Sequence, residues 1–244
     1  MKIIFAMAGA SSRFAKAGYT LPKYQLELGG KSVFYHAING FRRYFDEFEL
    51  IFVYRNINDT KGFIKKECEK LGVKLYRALE LKALTQGQAQ SVYEALCALQ
   101  ISDDEGILIF NIDTFRLDFS LPQGLNLEQI DGYLEVFRAS GEQWSFVLPS
   151  DERLCKVART AEKERISGLC SSGLYYFKKT SDFKGVFERL WRQKATSKGE
   201  YFIAPMYNEL IALGKDIRYS EILLDKIIFC GTAAEYEALR AKKL

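Results

Sequence analysis

The sequence predicts an α/β fold, a three-layer sandwich built on a mainly parallel mixed sheet with helices on both faces. In the first half of the chain, short apolar runs of strand length alternate with segments of helical periodicity, which is typical of parallel strands connected by helices. In the second half, strand-like runs follow one another with few helical segments between them. We therefore expect the second half to be richer in antiparallel strands.

Local signals place the individual elements. Ser32 can cap a helix that runs to about residue 44, and Asn58 or Asp59 caps a helix that Gly72 ends. Predicted strands cover residues 3–7, 24–28, 50–54, 73–76 and 106–110, then 131–137, 144–147, 155–158, 171–177, 217–223 and 227–230. Further helices are expected from the segment 85–92 onward, at 183–194 and 205–213, and after the Gly231-Thr232 pair.

Composition bounds the class of protein. The 244 residues are interpreted as one domain, residues 1–244, because no linker rich in Ser, Pro or Gly interrupts them. A formal charge of +4 fits an anionic substrate but is too small to indicate a nucleic-acid partner. No run reaches membrane-spanning length, so we expect a cytoplasmic protein without a membrane partner. The aromatic second half could cover a homodimer interface or complete the core.

The histidine and cysteine content narrows the chemistry. Five cysteines without CxxC spacing indicate free thiols in a reducing compartment. The single histidine, His36, falls in an apolar helical segment, where a structural role is expected. One histidine excludes a Ser-His-Asp triad built elsewhere, an HExxH metal helix and multi-histidine zinc sites. The chemistry is therefore expected not to depend on imidazole.

The first predicted strand runs into a loop of small residues that carries two cations, Arg13 and Lys23. Small side chains let backbone N–H groups approach an anion closely, and the cations would hold its charge. This favours a polyphosphate site, although turns also need Gly and Ser for purely structural reasons. The small residues are Ala8, Gly9, Ala10, Ser11 and Ser12.

Two later segments carry polar side chains where ligands bind in α/β folds. Gln86 and Gly87 open a predicted helix, and the Gln86 amide could read the edge of a base. Asn111 and Asp113 follow the strand predicted at 106–110, at the edge where parallel sheets bind ligands. Asp113 requires solvent or a cation as a partner, and such a lone Asp is more often a cap than a metal ligand.

Residues 8–14, with Gly18-Tyr19 and Pro22-Lys23, resemble the signature loop of the sugar-nucleotidyltransferase superfamily, which has a Rossmann-like fold. That loop has the pattern small-Gly-x-x-x-Arg, then Pro-Lys about ten residues later, and Ser11 or Ser12 replaces its second glycine here. The resemblance implies transfer of a nucleoside monophosphate from a nucleoside triphosphate to a phosphorylated small molecule, with release of pyrophosphate. Residues 1–125 would bind the nucleotide and residues 126–244 the acceptor.

The resemblance also implies roles for individual residues. Arg13 and Lys23 would be catalytic, acting on the α-phosphate and the leaving pyrophosphate, and Asp113 would bind Mg²⁺. Lys163 would contact the acceptor phosphate, although a run of alternating charges is usually a solvated turn. The remaining nucleotide-binding positions are Ala8, Gly9, Ala10, Ser11, Ser12, Gln86, Gly87 and Asn111, and the remaining acceptor-binding positions are Glu162 and Gly173.

One departure from the family concerns the metal. The family's second metal ligand is an Asp two residues before the Gly-Thr pair, where this chain has Phe229. Asp225 or Glu200 could substitute, or Mg²⁺ could use one protein carboxylate and several waters. The run of motifs looks most like short bacterial cytidylyltransferases of capsule and surface-polysaccharide biosynthesis. This favours CTP, with UTP or dTTP behind it, and phosphorylated capsule precursors as acceptors.

Two alternatives belong to other classes of protein. A nucleotide-sugar-dependent glycosyltransferase also carries a metal-binding Asp after a strand, but it normally shows Asp-x-Asp, and the triplet here is Asn111-Ile112-Asp113. A non-catalytic nucleotide-binding relative is the second alternative, because the second carboxylate of the family is missing.

Overall fold

The computed structural model describes residues 1–242 as two compact units, each assembled from several stretches of the chain. The first unit comprises Met1–Ile4, Thr85–Phe110 and Leu121–Leu224. The second comprises Phe5–Leu84, Asn111–Ser120 and the chain from Asp225. Both units therefore draw on both halves of the sequence. The functional division at residue 125 stays a prediction.

The elements alternate as an α/β fold requires. Between residues 1 and 242 the strands are β1 (Lys2–Ala6), β2 (Glu27–Leu28), β3 (Lys31–Ser32), β4 (Glu49–Tyr54), β5 (Tyr76–Glu80), β6 (Ile107–Asn111), β7 (Thr114–Arg116), β8 (Gly132–Arg138), β9 (Ser145–Asp151), β10 (Lys156–Glu162), β11 (Leu169–Phe177), β12 (Ile217–Glu221) and β13 (Ile227–Phe229). The α-helices are α1 (Ser12–Lys16), α2 (Val33–Asn39), α3 (Thr60–Leu71), α4 (Gln88–Ala98), α5 (Thr180–Gln193), α6 (Met206–Ala212) and α7 (Ala233–Ala241). The predicted α/β class is confirmed.

The first unit is built on the strand order β6-β11-β8-β12-β10-β9. Within it β8 and β12 are parallel, whereas β11 is antiparallel to both β6 and β8, and β10 is antiparallel to β9 and β12. Every residue of β11 is buried, which places this strand at the centre of the unit's core. The prediction of more antiparallel strands in the second half of the chain is thus confirmed.

The second unit contains the parallel pair β4–β5, together with the antiparallel pairs β2–β3 and β7–β13. Aromatic rings fill its core. Phe5 lies 5.3 Å from Phe41 and 5.7 Å from Phe52, and the ring of Phe41 lies 4.8 Å from that of Phe119. These residues have no solvent exposure or nearly none, so the unit owes its stability largely to burial of apolar rings.

Helix α3 has the predicted ends, whereas α2 is shorter than predicted. The Asp59 carboxylate accepts from the Gly62 N–H at 3.3 Å, and Gly72 ends the helix with a φ of +75°. Helix α2 stops at Asn39 instead of residue 44 because Gly40 lies against strand β7. A Cβ at Gly40 would lie 2.0 Å from the Arg116 carbonyl oxygen, an approach that only glycine allows.

Two predicted strands are displaced by local turns. Residues Lys23–Gln25 form a 3₁₀ turn, so only Glu27–Leu28 of the predicted strand 24–28 pairs with another strand. The strand predicted at 73–76 begins at Tyr76, because the Val73 N–H donates to the Cys68 carbonyl at 2.9 Å. That bond makes residue 73 part of the C-terminal cap of helix α3.

The histidine and cysteine predictions agree with the structure. His36 forms a hydrogen bond of 2.8 Å between Nε2 and the Leu28 carbonyl oxygen, and its ring lies 5.2 Å from that of Phe115. Its structural role is therefore confirmed. All five cysteines are free thiols. Among residues 1–242, no helix is both long enough and apolar enough to cross a bilayer.

Candidate active site

The loop after β1 is anchored by a short helix and exposed at its tip. Ser11 adopts left-handed backbone angles, with φ of 49°, and its carbonyl oxygen accepts from the Phe14 N–H at 3.0 Å. The buried Phe14 ring packs 5.6 Å from Tyr19 and 6.1 Å from Tyr236. A Cβ at Gly9 would meet no atom within 4 Å. The backbone around Gly9 is therefore accessible to a ligand, while Phe14 holds the loop against the rest of the unit.

The segment that follows β4 braces the same loop. Arg55 donates from Nε to the Ala8 carbonyl oxygen at 2.8 Å, and the Asn58 amide donates to the Thr20 carbonyl oxygen at 3.1 Å. Arg55 thus adds a cation beside the loop that the sequence analysis missed. The sequence offered one signal for Arg55, which is its position directly after the strand predicted at 50–54. The loop also follows a strand, so Arg55 could have been expected at the same edge of the sheet.

Lys23 joins the loop to Asp113, although the two residues are 90 positions apart in the chain. The Lys23 N–H donates to the Ser11 hydroxyl at 3.4 Å, and the Lys23 ammonium forms a salt bridge with Oδ2 of Asp113. The side chains of Lys23 and Asp113 are 24% and 19% exposed, so both still reach solvent. Within the second unit, the structure therefore brings together the loop, one predicted catalytic cation and the predicted metal ligand.

A second carboxylate lies close to Asp113. A Cβ built at Gly231 would lie 3.1 Å from Oδ2 of Asp113 and 3.8 Å from Oε2 of Glu235. Burial, followed by the charges of Asp113 and Glu235, raises the pKa of the Cys230 thiol to about 12, so the thiol stays protonated. Glu235 was not among the residues predicted from the sequence, although Thr232-x-x-Glu235 is a capping-box pattern, and both hydrogen bonds of that box are present.

The donor set at Asp113 is compatible with Mg²⁺. Carboxylate oxygen is a ligand that Mg²⁺ prefers, and this ion usually binds one or two carboxylates, several waters and substrate phosphates. The present partner of Asp113, the Lys23 ammonium, is itself a cation. Within residues 1–242 no group of three or more His, Cys, Asp or Glu is arranged to hold a metal ion. A site with one or two protein carboxylates is therefore what these residues can offer.

The remaining candidate residues lie on other elements of the fold. Asp225 is exposed in the 3₁₀ turn Leu224–Lys226 of the same unit, and Glu200 belongs to the first unit. Arg13 is exposed on α1 and forms no hydrogen bond or ion pair with any described residue. Asn111 is the last residue of β6. The metal role of Asp113 and the catalytic role of Arg13 stay predictions.

In the first unit, Gln86 and Gly87 are held against Tyr201. The Tyr201 N–H donates to the Gln86 carbonyl oxygen at 2.7 Å, and the Tyr201 carbonyl oxygen accepts from the Ala89 N–H at 3.1 Å. Gly87 has a φ of +120°, and a Cβ there would lie 2.6 Å from the Tyr201 carbonyl oxygen. Both the backbone angle and the close approach of Tyr201 therefore require glycine at this position. The hydrogen bond with Tyr201 fixes the backbone of Gln86, whose side chain is exposed.

Glu162 is the last residue of strand β10, and Lys163 follows it directly. The Lys163 ammonium lies 3.7 Å from Oε1 of Glu162 and 4.7 Å from the centroid of the Phe202 ring. Burial raises the pKa of Glu162, and this effect outweighs the hydrogen bond from Ser145 and the nearby Lys163, which lower it. Because Phe202 follows Tyr201, one segment contacts both Gln86–Gly87 and Lys163.

Gly173 occupies an irregular position in the middle of β11. It has a φ of +88°, and its N–H donates to the Ser171 hydroxyl at 3.1 Å. The pairing of β11 with β8 shifts register between Ser171 and Tyr175. The residue is buried, so the structure supplies a conformational reason for this glycine, and its predicted contact with the acceptor stays a prediction.

Solved structures with this fold include relatives at very different levels of sequence identity. The nucleoside-diphosphate-sugar pyrophosphorylase from Vibrio cholerae RC9 is 41% identical, with a TM-score of 0.92 over 98% of this chain and 99% of that one. The inositol-1-phosphate CTP transferase from T. maritima is 14% identical, with a TM-score of 0.71 over 99% and 95%. A UDP-glucose pyrophosphorylase is 13% identical, with a TM-score of 0.74 over 99% and 97%.

The two more distant structures show the fold alone, which is that of a Rossmann-like α/β protein. The identity to the Vibrio protein over nearly the whole of both chains shows more. This chain belongs to the sugar-nucleotidyltransferase superfamily. No protein-family model and no curated protein sequence matches it.

Proposed function

We propose that the protein transfers a nucleoside monophosphate from a nucleoside triphosphate to a phosphorylated small molecule and releases pyrophosphate. The observation that carries this proposal is the contact of Lys23 with Asp113 at the end of the open loop that contains Gly9. A cation, a metal-compatible carboxylate and exposed backbone at one place are what a bound triphosphate requires. The name of the Vibrio relative, a nucleoside-diphosphate-sugar pyrophosphorylase, supports the same reaction class.

The reaction needs positioning and charge more than proton transfer. An oxygen of the acceptor phosphate attacks the α-phosphorus, the bond from that phosphorus to the bridging oxygen breaks, and pyrophosphate leaves with the electron pair. The acceptor phosphate is already an anion near neutral pH, so it needs no general base. This agrees with a chain whose single histidine, His36, is engaged with the Leu28 carbonyl oxygen.

The chain's own cations would hold the two anions together. Lys23 would bind the α-phosphate, and Arg13, exposed on the same loop, would bind the leaving pyrophosphate. Arg55 would keep the loop in place through the Ala8 carbonyl oxygen. Backbone N–H groups of Gly9, Ala10, Ser11 and Ser12 would contact the phosphates, with Ala8 and Asn111 completing this side of the nucleotide site.

Asp113 would hold Mg²⁺, with Glu235 as a second carboxylate close by. When bound, Mg²⁺ neutralises charge on the triphosphate oxygens. In the structure the Lys23 ammonium forms a salt bridge with the Asp113 carboxylate. Triphosphate and metal would therefore separate this pair, which frees Lys23 for phosphate and Asp113 for the metal.

Lys163 would bind the phosphate of the acceptor. The buried Glu162 carboxylate and the Phe202 ring hold its ammonium from two sides and leave its side chain 32% exposed. The glycine at position 173 would let the acceptor approach β11. The acceptor class we propose is a sugar phosphate or another phosphorylated precursor of capsule polysaccharide.

CTP is the proposed donor, and its use would place the reaction in the cytoplasm. The Gln86 amide carries both a donor and an acceptor, so it can pair with the edge of a base without selecting one. The preference for cytosine rests on the resemblance of the first loop and of Tyr175-Tyr176-Phe177 to short bacterial cytidylyltransferases. UTP and dTTP are the competing donors.

A pyrophosphate-release assay tests the proposal. CTP, UTP, dTTP, ATP and GTP are each supplied with Mg²⁺, inorganic pyrophosphatase and a panel of phosphorylated acceptors. We expect turnover with CTP to be fastest. Preference for a purine triphosphate would contradict the choice of donor, and sugar transfer from a nucleotide sugar without pyrophosphate release would contradict the reaction class.

A further inference from the structure

A cavity lies in the first unit, between helices α4 and α5. It has a volume of about 380 Å³, enough for a small organic molecule. One wall is aromatic: the rings of Tyr93 and Phe187 stack at 4.6 Å, and the Trp191 ring lies 5.8 Å from that of Phe187. Trp191 is 45% exposed, so part of its indole is available to a ligand.

The polar lining of this cavity is mostly acidic. Glu94 accepts from the Gln90 amide at 2.7 Å, and Glu188 accepts from the Tyr93 hydroxyl at 2.9 Å. These partners are neutral, and neither carboxylate forms an ion pair with any residue that the structure describes. The lining contains one cation, Arg192, whose Nε donates to the backbone oxygen of Glu188 at 3.3 Å. Two carboxylates against one guanidinium leave a net negative charge.

We propose that this cavity binds an organic cation, a quaternary ammonium or alkylated amine. Aromatic faces attract such cations through the ring quadrupole, and Trp is the strongest of the aromatic side chains. The carboxylates of Glu94 and Glu188 supply the opposite charge at the rim. The cation is small and weakly hydrated, so its alkyl groups contact the rings without loss of strong hydrogen bonds to water.

The cavity contacts the Gln86–Gly87 segment by two routes. Gln90, in its lining, accepts from the Gln86 N–H at 2.6 Å. Trp191 lies 5.4 Å from the Tyr201 ring, and the Tyr201 N–H donates to the Gln86 carbonyl oxygen at 2.7 Å. A ligand that moves Gln90 or Trp191 therefore changes the position of Gln86. This coupling to triphosphate affinity rests on the proposed function, whereas binding of the cation does not.

Binding is tested on the full chain in a Trp144→Phe background, where Trp191 is the only remaining tryptophan. Tetramethylammonium chloride is titrated against Trp191 fluorescence, with tert-butanol as a neutral probe of similar size and sodium chloride as a salt control. We expect a saturable change with a dissociation constant of about 1 mM for the cation, as weak cation–π sites give, and none for the alcohol. An equal response to both probes, or no saturable response to the cation, would overturn the proposal.

Charge variants separate a cation site from a merely apolar groove. Glu94→Gln is expected to weaken tetramethylammonium binding about fivefold, the scale of an exposed ion pair, and Arg192→Gln to strengthen it. Glu142→Gln, an exposed carboxylate in the same unit that does not line the cavity, is the matched control and should change nothing. Weaker tetramethylammonium binding in Arg192→Gln, or unchanged binding in Glu94→Gln, would show that charge does not govern binding and would overturn the proposal.

The coupling has its own readout. Saturating tetramethylammonium is expected to change the dissociation constant of CTP, measured by calorimetry, at least threefold in either direction. An unchanged constant, with cation binding intact, would overturn the coupling. Absence of turnover on every donor, with the fluorescence response intact, would overturn the proposed function and leave the cation site supported.

Discussion

Two of the lysine–carboxylate pairs, those formed by candidate site residues, differ in how exposed they are to solvent. In the second unit, Lys23 contacts Asp113 directly, and both side chains are about equally accessible. In the first unit, the side chain of Glu162 is only 5% exposed, and Lys163, at 3.7 Å, lies over the Phe202 ring. Lys23 and Asp113 can exchange partners, because solvent and ligands reach both charges. The buried Glu162 carboxylate instead serves to hold Lys163 in place.

This difference in exposure suits Lys23 and Asp113 to the chemical step and Glu162 and Lys163 to positioning of the acceptor. A carboxylate that is accessible on the side of its lysine can take a metal ion when phosphate draws the lysine away. A carboxylate whose pKa is raised by burial, as that of Glu162 is, has already lost most of its water and has little room for a new ligand. We therefore expect changes at Lys23 to affect turnover and changes at Lys163 to affect acceptor binding.

The largest expected effect comes from Lys23→Ala. Removal of a cation that stabilises transition-state charge costs on the order of 10³ in kcat. Lys163→Ala should instead raise the acceptor KM while kcat falls much less, because its contact exists before and during the transfer. Steady-state kinetics with each substrate varied in turn measures both values. A kcat loss of equal size in the two variants would remove the distinction between the pairs.

Arg13→Ala is expected to cost roughly a hundredfold in turnover, on the same scale of preorganised charge. Lys16→Ala is the matched control, because Lys16 is also an exposed cation on α1. Turnover is measured at saturating concentrations of both substrates. If Arg13→Ala keeps full turnover, Arg13 plays no part in catalysis.

Two glycine substitutions, one in each unit, distinguish a role in folding from a role in binding. Gly87→Ala forces a Cβ to within 2.6 Å of the Tyr201 carbonyl oxygen at a φ of +120°, so we expect a loss of about 2 kcal/mol in the free energy of unfolding. Gly9→Ala meets no atom within 4 Å, so stability should stay within about 0.5 kcal/mol while the KM for the triphosphate rises. Urea unfolding measures the first effect and kinetics the second. Equal destabilisation by both would show that Gly9 serves folding.

The smallest effect concerns the pH dependence of stability. Burial raises the pKa of Glu162 in the folded state, so the folded protein holds this proton more tightly than the unfolded chain does. The stabilisation is complete below the unfolded value, about 4.3, and is lost as pH rises through the raised folded value. Glu162→Gln removes this loss. Its stability relative to the parent should therefore increase from pH 4 to pH 7.

The control for this prediction is Glu164→Gln, an exposed carboxylate two residues away that pairs with Arg159. Thermal or urea unfolding at several pH values measures the free energy for the parent and both variants. A difference between parent and Glu162→Gln that does not change between pH 4 and pH 7 would mean that burial of Glu162 does not affect its protonation.

Local signals in the sequence were sufficient for much of the fold. The Asp59 and Gly72 ends of α3 and the Thr232 start of α7 follow from side chains that bond their own helix termini. Helix α2 was predicted too long because its end is set by the Arg116 carbonyl oxygen, which lies against Gly40 from a distant part of the chain. The sequence of residues 32–44 alone therefore cannot predict where this helix ends.

In the candidate site, too, some features could be predicted from the sequence and others could not. The loop and Asp113 could be proposed from the motif and from the position of each after a buried strand. The Lys23–Asp113 contact, the Arg55 bond to Ala8 and the approach of Glu235 toward Asp113 could not, because each depends on how separate stretches of the chain pack. Sequence patterns thus identify the chemistry that a residue can supply, whereas the partners of that residue follow from the fold.

The most direct test of the account is the Mg²⁺ dependence of CTP binding, measured by calorimetry in the parent chain, in Asp113→Asn and in Lys163→Met. We expect Mg²⁺ to strengthen CTP binding at least tenfold in the parent and in Lys163→Met, and to have no effect in Asp113→Asn. CTP binding that Mg²⁺ strengthens equally in Asp113→Asn would contradict the assignment of the metal and triphosphate to the Lys23–Asp113 pair.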